Sequence, residues 1–211
     1  MQKFTHDFDY ITYLLGLEPV SICAMDSKQI FKGDKPAGKK CIDCDEYKTC
    51  TESPFVIKNY RFGYVNEKRE AMSMCAFAVD TGNQDSGSAI IRYSTGMHAV
   101  YSQNFFARKD AAARGARFIG YDGTMEFDWY TNELKVFSHS KPVVEKHTVD
   151  VSNMDHMGGD RVLSRNFLDV INGAASSCSP LEAGILSAYA CLMAEESSRT
   201  NKFMDIDYAR L

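Results

Sequence analysis

The feature that most constrains the fold is a succession of short, strand-like segments between Ser86 and Val151. Residues 94–96 (Ser-Thr-Gly) separate two of them, and Asp122-Gly123, a pair that favours tight hairpin turns, separates two more. Because hairpins join neighbouring antiparallel strands, this spacing predicts a largely antiparallel sheet. The predicted strands are Ser88–Tyr93, His98–Phe106, Arg117–Tyr121, Thr124–Trp129, Leu134–Ser138 and Val143–Val151.

Helical patterns flank these strands. A first helix is predicted with Thr5 as its cap, Phe8, Ile11 and Leu15 on one face, and Gly16 at its end. A buried strand is predicted at Val20–Met25 and a helix at Arg161–Ile171; a last helix has Ser179 as its cap and Pro180 at its first position, and ends near Arg199. The last helix is expected to bury Leu181, Ile185, Tyr189, Leu192 and Met193. The predicted class is α+β, with an open, mostly antiparallel sheet carrying helices on one face, in one domain over residues 1–211.

Composition excludes several functional classes. The net charge is −4 and the basic residues are scattered, which argues against nucleic-acid binding. No apolar stretch reaches membrane-spanning length, and no secretory signal opens the chain. Seven cysteines without such a signal predict free thiols and a cytoplasmic location.

The segment from Ser27 to Pro54 has little periodicity and is predicted to be a long surface excursion. It contains Cys41 and Cys44, separated by two residues, and then Cys50. Three thiolates can bind zinc if a fourth ligand arrives from elsewhere, and Cys23 is one candidate. Three reduced cysteines without a metal are the equally acceptable alternative.

Two polar clusters carry residues suited to chemistry. On the first helix, His6 and Asp9 are three residues apart and share a face, so the carboxylate can orient the imidazole or both can hold a polyhydroxy substrate. Lys3 and His6 are the candidate catalytic residues, and Asp9 is a candidate substrate ligand. In the second cluster, His156 and Asp160 flank a glycine pair before a helix and are further candidate substrate ligands. The structural alternatives are a polar helix start for the first cluster and a helix cap at Asp160 for the second.

Five stretches of the sequence, taken in order, resemble the C-terminal domain of the Gfo/Idh/MocA oxidoreductases (glucose–fructose oxidoreductase, inositol dehydrogenase and their relatives). The resemblance covers nearly the whole chain. The stretches are Lys3–Gly16 with Glu18-Pro19, the cysteine-bearing loop ending in Glu52-Ser53-Pro54, Ile119–Thr124, His156–Asp160 and Ala194–Arg199.

This resemblance implies a domain like the C-terminal domain of dihydrodipicolinate reductase, which supplies the substrate pocket and builds the oligomer through its sheet. It places the family's catalytic histidine at His6 and the acid three residues later at Asp9. Many members carry a carboxylate four residues before that histidine, where this chain has Gln2. The family's catalytic lysine and its NAD or NADP site belong to an N-terminal Rossmann domain.

No G-x-G-x-x-G fingerprint follows any predicted strand of these 211 residues. Hydride transfer needs a nicotinamide held against the substrate carbon, so we expect this chain alone to bind no cofactor and to be inactive. The first functional hypothesis is the substrate-binding and oligomerisation part of an NAD(P)-dependent dehydrogenase of sugars or polyols, working with a Rossmann-domain partner. The second is a non-catalytic sugar-binding or assembly module derived from that family.

Overall fold

The computed structural model describes residues 4–56, 73–107, 111–149 and 158–207. The chain divides into two compact units, each assembled from separate stretches of sequence. The first unit is drawn from Met1–His6, Leu17–Phe106 and Tyr189–Leu211, and the second from Asp7–Gly16 and Ala107–Ala188. The prediction of one domain over residues 1–211 stays a prediction, because compactness does not establish which parts fold independently.

The described elements are α-helices near the two ends of the chain and two groups of strands. In chain order they are α1 (Phe4–Leu15), β1 (Pro19–Ser27), a short 3-10 turn (Cys41–Asp43), β2 (Ser86–Tyr93), β3 (His98–Asn104), β4 (Gly115–Ile119), β5 (Gly123–Asp128), β6 (Glu133–Ser138), β7 (Val144–Thr148), α2 (Gly159–Ile171), α3 (Leu181–Thr200) and β8 (Met204–Asp205). The predicted α+β class with antiparallel strands is confirmed. The strands belong to two four-stranded sheets, ordered β3-β2-β1-β8 and β4-β5-β6-β7.

Alternating burial builds the core of the first unit. Along β2, the side chains of Ala89, Ile91 and Tyr93 are buried, whereas those between them are exposed. Phe4 of α1 packs on Tyr101 of β3, with ring centroids 5.0 Å apart. Each fully buried side chain of this size contributes about 2 kcal/mol through removal of apolar surface from water, so this face is the main source of the unit's stability.

The free edge of β1 is covered in two ways. Strand β8 is only two residues long and pairs with Ser21 and Ile22. Beyond it, the backbone N–H of Ala24 donates to the hydroxyl of Ser197 at 2.9 Å, and that of Asp26 donates to Ser198 at 3.0 Å. The hydroxyl groups of Ser197 and Ser198 on α3 therefore accept hydrogen bonds from two backbone N–H groups of β1 that β8 does not reach.

A buried carboxylate anchors the excursion between β1 and β2. Asp85 is 1% exposed, and its two oxygens accept hydrogen bonds from the backbone N–H groups of Gln29, Ile30 and Phe31 at 2.7–2.8 Å. Burial raises the pKa of Asp85, but these backbone hydrogen bonds lower it more, and the net pKa lies below its ordinary value. Asp85 thus fixes the point where the chain leaves the first sheet.

The second unit packs α1 on its sheet through aromatic side chains. The ring of Tyr10 meets Phe127 and Trp129 edge-on, with centroids 5.8 and 6.0 Å apart. The hairpin predicted at Asp122-Gly123 joins β4 to β5 in the structure. On this sheet, Thr124 is the single buried residue of β5, and every residue of β7 is exposed.

The helices depart from prediction in their ends and their faces. Helix α1 begins at Phe4, so Thr5 lies inside it and the predicted cap is wrong. Of the five residues predicted to be buried on α3, Leu181, Ile185 and Leu192 are exposed, so the prediction is wrong for these three, whereas Tyr189 and Met193 are half-buried. The residues that α3 buries are small: Ser187, Ala190, Ala194 and Ser197. Among the described residues, no helix combines the length and the hydropathy needed to cross a membrane.

Candidate functional site

The candidate catalytic helix presents two polar side chains to solvent. His6 and Asp9 are both exposed on α1, while Phe4 and Phe8 of the same helix are fully buried. One carboxylate oxygen of Asp9 accepts a hydrogen bond from the hydroxyl of Ser187 on α3 at 3.1 Å. A carboxylate has further lone pairs, so this contact orients Asp9 and leaves it able to accept another hydrogen bond. Lys3, the other predicted catalytic residue, lies outside the described residues.

A partly buried ion pair holds this helix in place. Asp7 is 7% exposed, and its Oδ1 accepts hydrogen bonds from Nη2 and Nε of Arg114 at 2.6 and 3.1 Å. Burial lowers the pKa of the Arg114 guanidinium, but the hydrogen bond and the charge of Asp7 raise it more, so the net pKa is raised. Because a forked guanidinium fixes direction as well as distance, the pair sets the rotation of α1 and hence where its polar face points.

Tyr10 completes the support of α1 in the second unit. Its hydroxyl donates to the backbone carbonyl of Gly115 at 3.3 Å. Burial raises the pKa of Tyr10, and the nearby charge of Asp7 adds to this effect, so the phenol stays a hydrogen-bond donor at neutral pH. The sequence did not reveal that Asp7, Tyr10 and Arg114 act together, because Arg114 lies more than a hundred residues after Asp7 and Tyr10 and no local pattern marks the contact.

The second predicted cluster is described in part. Gly158 has a φ of 82°, in the left-handed region, and occupies the N-cap of α2. Asp160 is exposed in the first turn of that helix, where its charge is favourable to the helix dipole. Asp160 therefore lies inside α2, two residues after the N-cap, and the alternative that it caps the helix is wrong. His156 lies outside the described residues, so its role as a substrate ligand stays a prediction.

A shallow concavity of about 510 Å³ lies on the sheet of the second unit. Charged side chains line much of it, and they are paired: Arg117 contacts Glu126 at 3.1 Å, and Lys135 contacts Glu133 at 3.0 Å. The pKa of Glu133 is lowered by its hydrogen bond to Lys135 and by the charge of that lysine. Exposed pairs of this kind are typical of a solvated sheet face. Of the predicted site residues that the structure describes, none lines the concavity.

The cysteines divide into separate locations. All seven are free thiols; Cys41 is buried, while Cys44 and Cys50 are half-buried. Cys23 lies in β1 opposite Ile90 of the first sheet, and Cys178 is exposed between α2 and α3. Within the described ranges, no three His, Cys, Asp or Glu side chains converge closely enough to hold one metal ion. The zinc site predicted at Cys41, Cys44 and Cys50 therefore stays a prediction.

Comparison with known proteins identifies the fold. No protein-family model matches the chain, and no curated protein matches its sequence. Among solved structures, an oxidoreductase domain protein from Kribbella flavida is 11% identical with a TM-score of 0.68, and the match covers 96% of this chain and 50% of that one. A levoglucosan dehydrogenase in complex with NADH is 14% identical with a TM-score of 0.64, covering 96% and 48%.

An oxidoreductase from Agrobacterium radiobacter, in complex with NAD+, L-tartaric acid and magnesium, also matches this chain over about half of its own length. It is 11% identical with a TM-score of 0.60, and the match covers 98% of this chain and 48% of that one. The chain thus spans about half the length of the oxidoreductases that it resembles. At these identities the likeness establishes a shared fold.

Proposed function

We propose that this chain is the substrate-binding and oligomerisation domain of an NAD(P)-dependent oxidoreductase of the Gfo/Idh/MocA family, acting on a sugar, a polyol or a derivative. The observation that carries the proposal is the extent of the structural match. Nearly all of this chain superposes on about half of each matched chain, including that of a levoglucosan dehydrogenase in complex with NADH. The proposed cofactor site, for NAD or NADP, lies in a Rossmann domain outside these 211 residues.

The polar face of α1 supports a role in substrate chemistry. His6 is exposed, and an imidazole can accept or donate the hydroxyl proton whose transfer accompanies hydride transfer. Asp9, oriented by Ser187, is suited to accept a hydrogen bond from a substrate hydroxyl. In this proposal His6 moves the proton and Asp9 orients the substrate, and Lys3 is the second proposed catalytic residue.

The exposed face of α2 supports a partner domain. No residue of this helix is buried: Leu163, Phe167 and Ile171 follow one another at four-residue spacing on one face, and each is more than 50% exposed. An amphipathic helix with its apolar face in water marks a surface that another structure covers. We assign that surface to the cofactor domain of the complete enzyme.

The outer face of the first sheet supports self-association. Met25, Ile90 and Val100 are exposed on β1, β2 and β3, and Ile90 pairs directly with Val100. An antiparallel sheet with helices on one face can bury its other face against a second copy. Analytical ultracentrifugation should show an oligomer that Val100→Lys weakens, while Ile119→Lys on the second sheet leaves it intact. A monomer for the wild-type chain at micromolar concentration contradicts this part of the proposal.

Ligand-detected NMR tests substrate binding on the chain as it stands. With monosaccharides and inositols at about 10 mM, enough to detect millimolar affinity, we expect saturation transfer to at least one polyol. His6→Ala and Asp9→Asn should abolish it, and His147→Ala on the exposed β7 is the matched control. No transfer to any polyol, or transfer unaffected by both α1 variants, contradicts the assignment.

The alternative is a non-catalytic sugar-binding or assembly module. It is favoured by Gln2, which stands where many family members carry a carboxylate. Once the cofactor domain is identified, a mixture of the two proteins separates the hypotheses. NAD(P)-dependent oxidation that His6→Ala abolishes supports the enzyme, and inactivity of a stable complex supports the module. The seven free thiols also support our proposal of a cytoplasmic location.

A further inference from the structure

The polar face of α1 continues beyond the candidate catalytic residues to an aromatic ring. Tyr13 is four residues after Asp9 and seven after His6, and these spacings place all three side chains on one face of the helix. All three are exposed, and Tyr13 is 78% exposed. At a rise of about 1.5 Å per residue, Tyr13 lies about 6 Å along the helix from Asp9. Its ring is therefore the next side chain that a molecule bound at Asp9 meets on this face.

The other tyrosine of α1 shows how a ring with a structural role is placed on this helix. Tyr10 packs edge-on against Phe127 and Trp129, and its hydroxyl donates to the carbonyl of Gly115. Tyr13, in contrast, has most of its ring in water. A tyrosine side chain carries a large apolar surface, which is stabilised when another molecule covers it. The fold therefore uses Tyr10 to hold α1 and leaves Tyr13 available to a ligand.

Helix α3 leaves open space close to the carboxylate on this face. Ser187 of α3, which is 3% exposed, donates its hydroxyl hydrogen bond to Asp9 at 3.1 Å. Gly184 lies one turn before Ser187 on the same face of α3, is exposed, and has no atom within 4 Å of the position that a Cβ would occupy. Glycine weakens a helix relative to alanine, and no close packing within the described residues requires it at this position. The space next to the contact between Asp9 and Ser187 is therefore accessible to a bound molecule.

An exposed carboxylate one turn from an exposed aromatic ring suits a particular class of polyol. In a pyranose or a cyclitol the hydroxyls project around the edge of the ring, whereas C–H groups point to its two faces. The face of a tyrosine ring is apolar and carries partial negative charge, so it attracts such a C–H face. The carboxylate accepts hydrogen bonds from the hydroxyls at the edge. An open-chain polyol has no fixed C–H face, and ordering its flexible chain costs more conformational entropy.

We propose that Tyr13 is a specificity-determining residue of the candidate site, and that its ring stacks on the C–H face of a cyclic polyol whose hydroxyl edge is bound by Asp9. Gly184 leaves the space that the substrate ring enters. The inference rests on the proposed function, because it concerns the same site. It narrows the substrate from sugars and polyols in general to pyranoses and cyclitols, and it gives a binding role to a residue outside the pair formed by His6 and Asp9.

Saturation-transfer NMR titrations of the full chain test this role, with methyl β-D-glucopyranoside and myo-inositol as cyclic probes and D-sorbitol as the open-chain probe. The cyclic probes should bind at least about threefold more tightly than sorbitol, and the C–H protons of one ring face should receive the most saturation. Tyr13→Ala should weaken binding of the cyclic probes about three- to tenfold, whereas Tyr13→Phe, which keeps the ring, should stay within about twofold of the wild-type chain. Tyr121→Ala is the matched control, because Tyr121 is 96% exposed on the β4–β5 hairpin of the same unit, and it should leave binding unchanged.

The outcomes separate this inference from the proposed function. Binding of cyclic polyols that Asp9→Asn abolishes but Tyr13→Ala leaves unchanged overturns the role of Tyr13 alone, and it is the result expected if the ring packs on the cofactor domain instead. Equal affinity for sorbitol, or loss of binding in Tyr13→Phe, also overturns the stacking. Absence of binding for all three probes overturns the proposed substrate site and this inference together. Because Tyr13 is exposed, Tyr13→Ala should unfold at the same urea concentration as the wild-type chain, so a loss of binding cannot be attributed to a loss of folding.

Discussion

The two compact units bury their side chains to different degrees. In the first unit, β2 buries every second residue, and Ile22, Ile91 and Tyr93 are at most 1% exposed. In the second unit, α2 has no buried residue and Thr124 is the one buried residue of β5. The first unit therefore contains a conventional core, whereas the second displays apolar helix surface to solvent.

This difference bears on function because the unpacked surface lies in the unit that holds Asp9. Apolar helix faces that cost free energy in water persist when another structure covers them. The contrast supports the proposal that the second unit completes its packing with a cofactor domain. It also implies that substitutions in the first unit should cost stability in the isolated chain, whereas those on α2 should cost little.

The largest expected effect is at Asp85 in the first unit. Asp85→Ala removes the acceptor of three backbone N–H groups, and we expect urea denaturation to show a loss of about 3 kcal/mol. Asp80→Ala is the matched control, because its carboxylate accepts one hydrogen bond, from Gly38 at 2.8 Å, at an exposed position. Equal losses of unfolding free energy in the two variants would show that the buried Asp85 stabilises the fold no more than the exposed Asp80 does.

The ionised carboxylate of Asp85 also predicts that the free energy of unfolding depends on pH. The folded pKa of Asp85 lies below its ordinary value, so its stabilisation is fully present above the unfolded-chain pKa of about 3.9 and is lost as pH falls through the folded pKa. The free energy of unfolding should therefore fall towards acid more steeply in the wild-type chain than in Asp85→Asn. Parallel curves for the two proteins between pH 7 and 3 would contradict the hydrogen-bonded, ionised state.

A smaller effect is expected at the ion pair that holds α1 in the second unit. Arg114→Met leaves the carboxylate of Asp7 buried without its guanidinium. Because Arg114 is one-third exposed, water screens part of the loss, and we expect about 1.5 kcal/mol. Arg117→Met is the control, since its pair with Glu126 is exposed and contributes about 0–1 kcal/mol. A similar loss of stability in both variants would contradict the role of Arg114 in positioning α1.

The smallest effect is expected on α2. Phe167 is 63% exposed, so Phe167→Ser should change the free energy of unfolding of this chain by no more than about 0.5 kcal/mol. Ile91→Ala, at a residue 1% exposed in the first unit, is the contrasting variant and should cost about 3 kcal/mol. A large loss in Phe167→Ser would mean that α2 packs within the chain, and the contrast between the units would disappear.

The strands could be predicted because their signals are local. Period-two alternation and the Asp122-Gly123 turn lie within a few residues of what they determine, and the hairpin formed there. The face of α3 could not be predicted from apolar periodicity, because a helix that approaches its neighbours closely buries small residues. Ala190 and Ala194 are fully buried, while the larger Leu192 is 59% exposed.

The candidate site likewise has features that the local sequence predicts and features that it does not. His6 and Asp9 share a helix, so their spacing alone places both on α1. The pairing of Asp7 with Arg114 depends on how distant segments meet, for which periodicity carries no information. Cys23, a candidate fourth metal ligand from the sequence, lies in β1 opposite Ile90 of the first sheet.

The central claim is that the cofactor site belongs to a separate domain. Its most direct test is a titration of the chain with NADH and NADPH, monitored by calorimetry and by the quenching of Trp129 fluorescence. If the cofactor site belongs to a separate Rossmann domain, neither nucleotide should bind at concentrations up to about 1 mM. Binding of either cofactor with a dissociation constant of about 10 μM or tighter would contradict the account, because it would place a nucleotide site within these 211 residues.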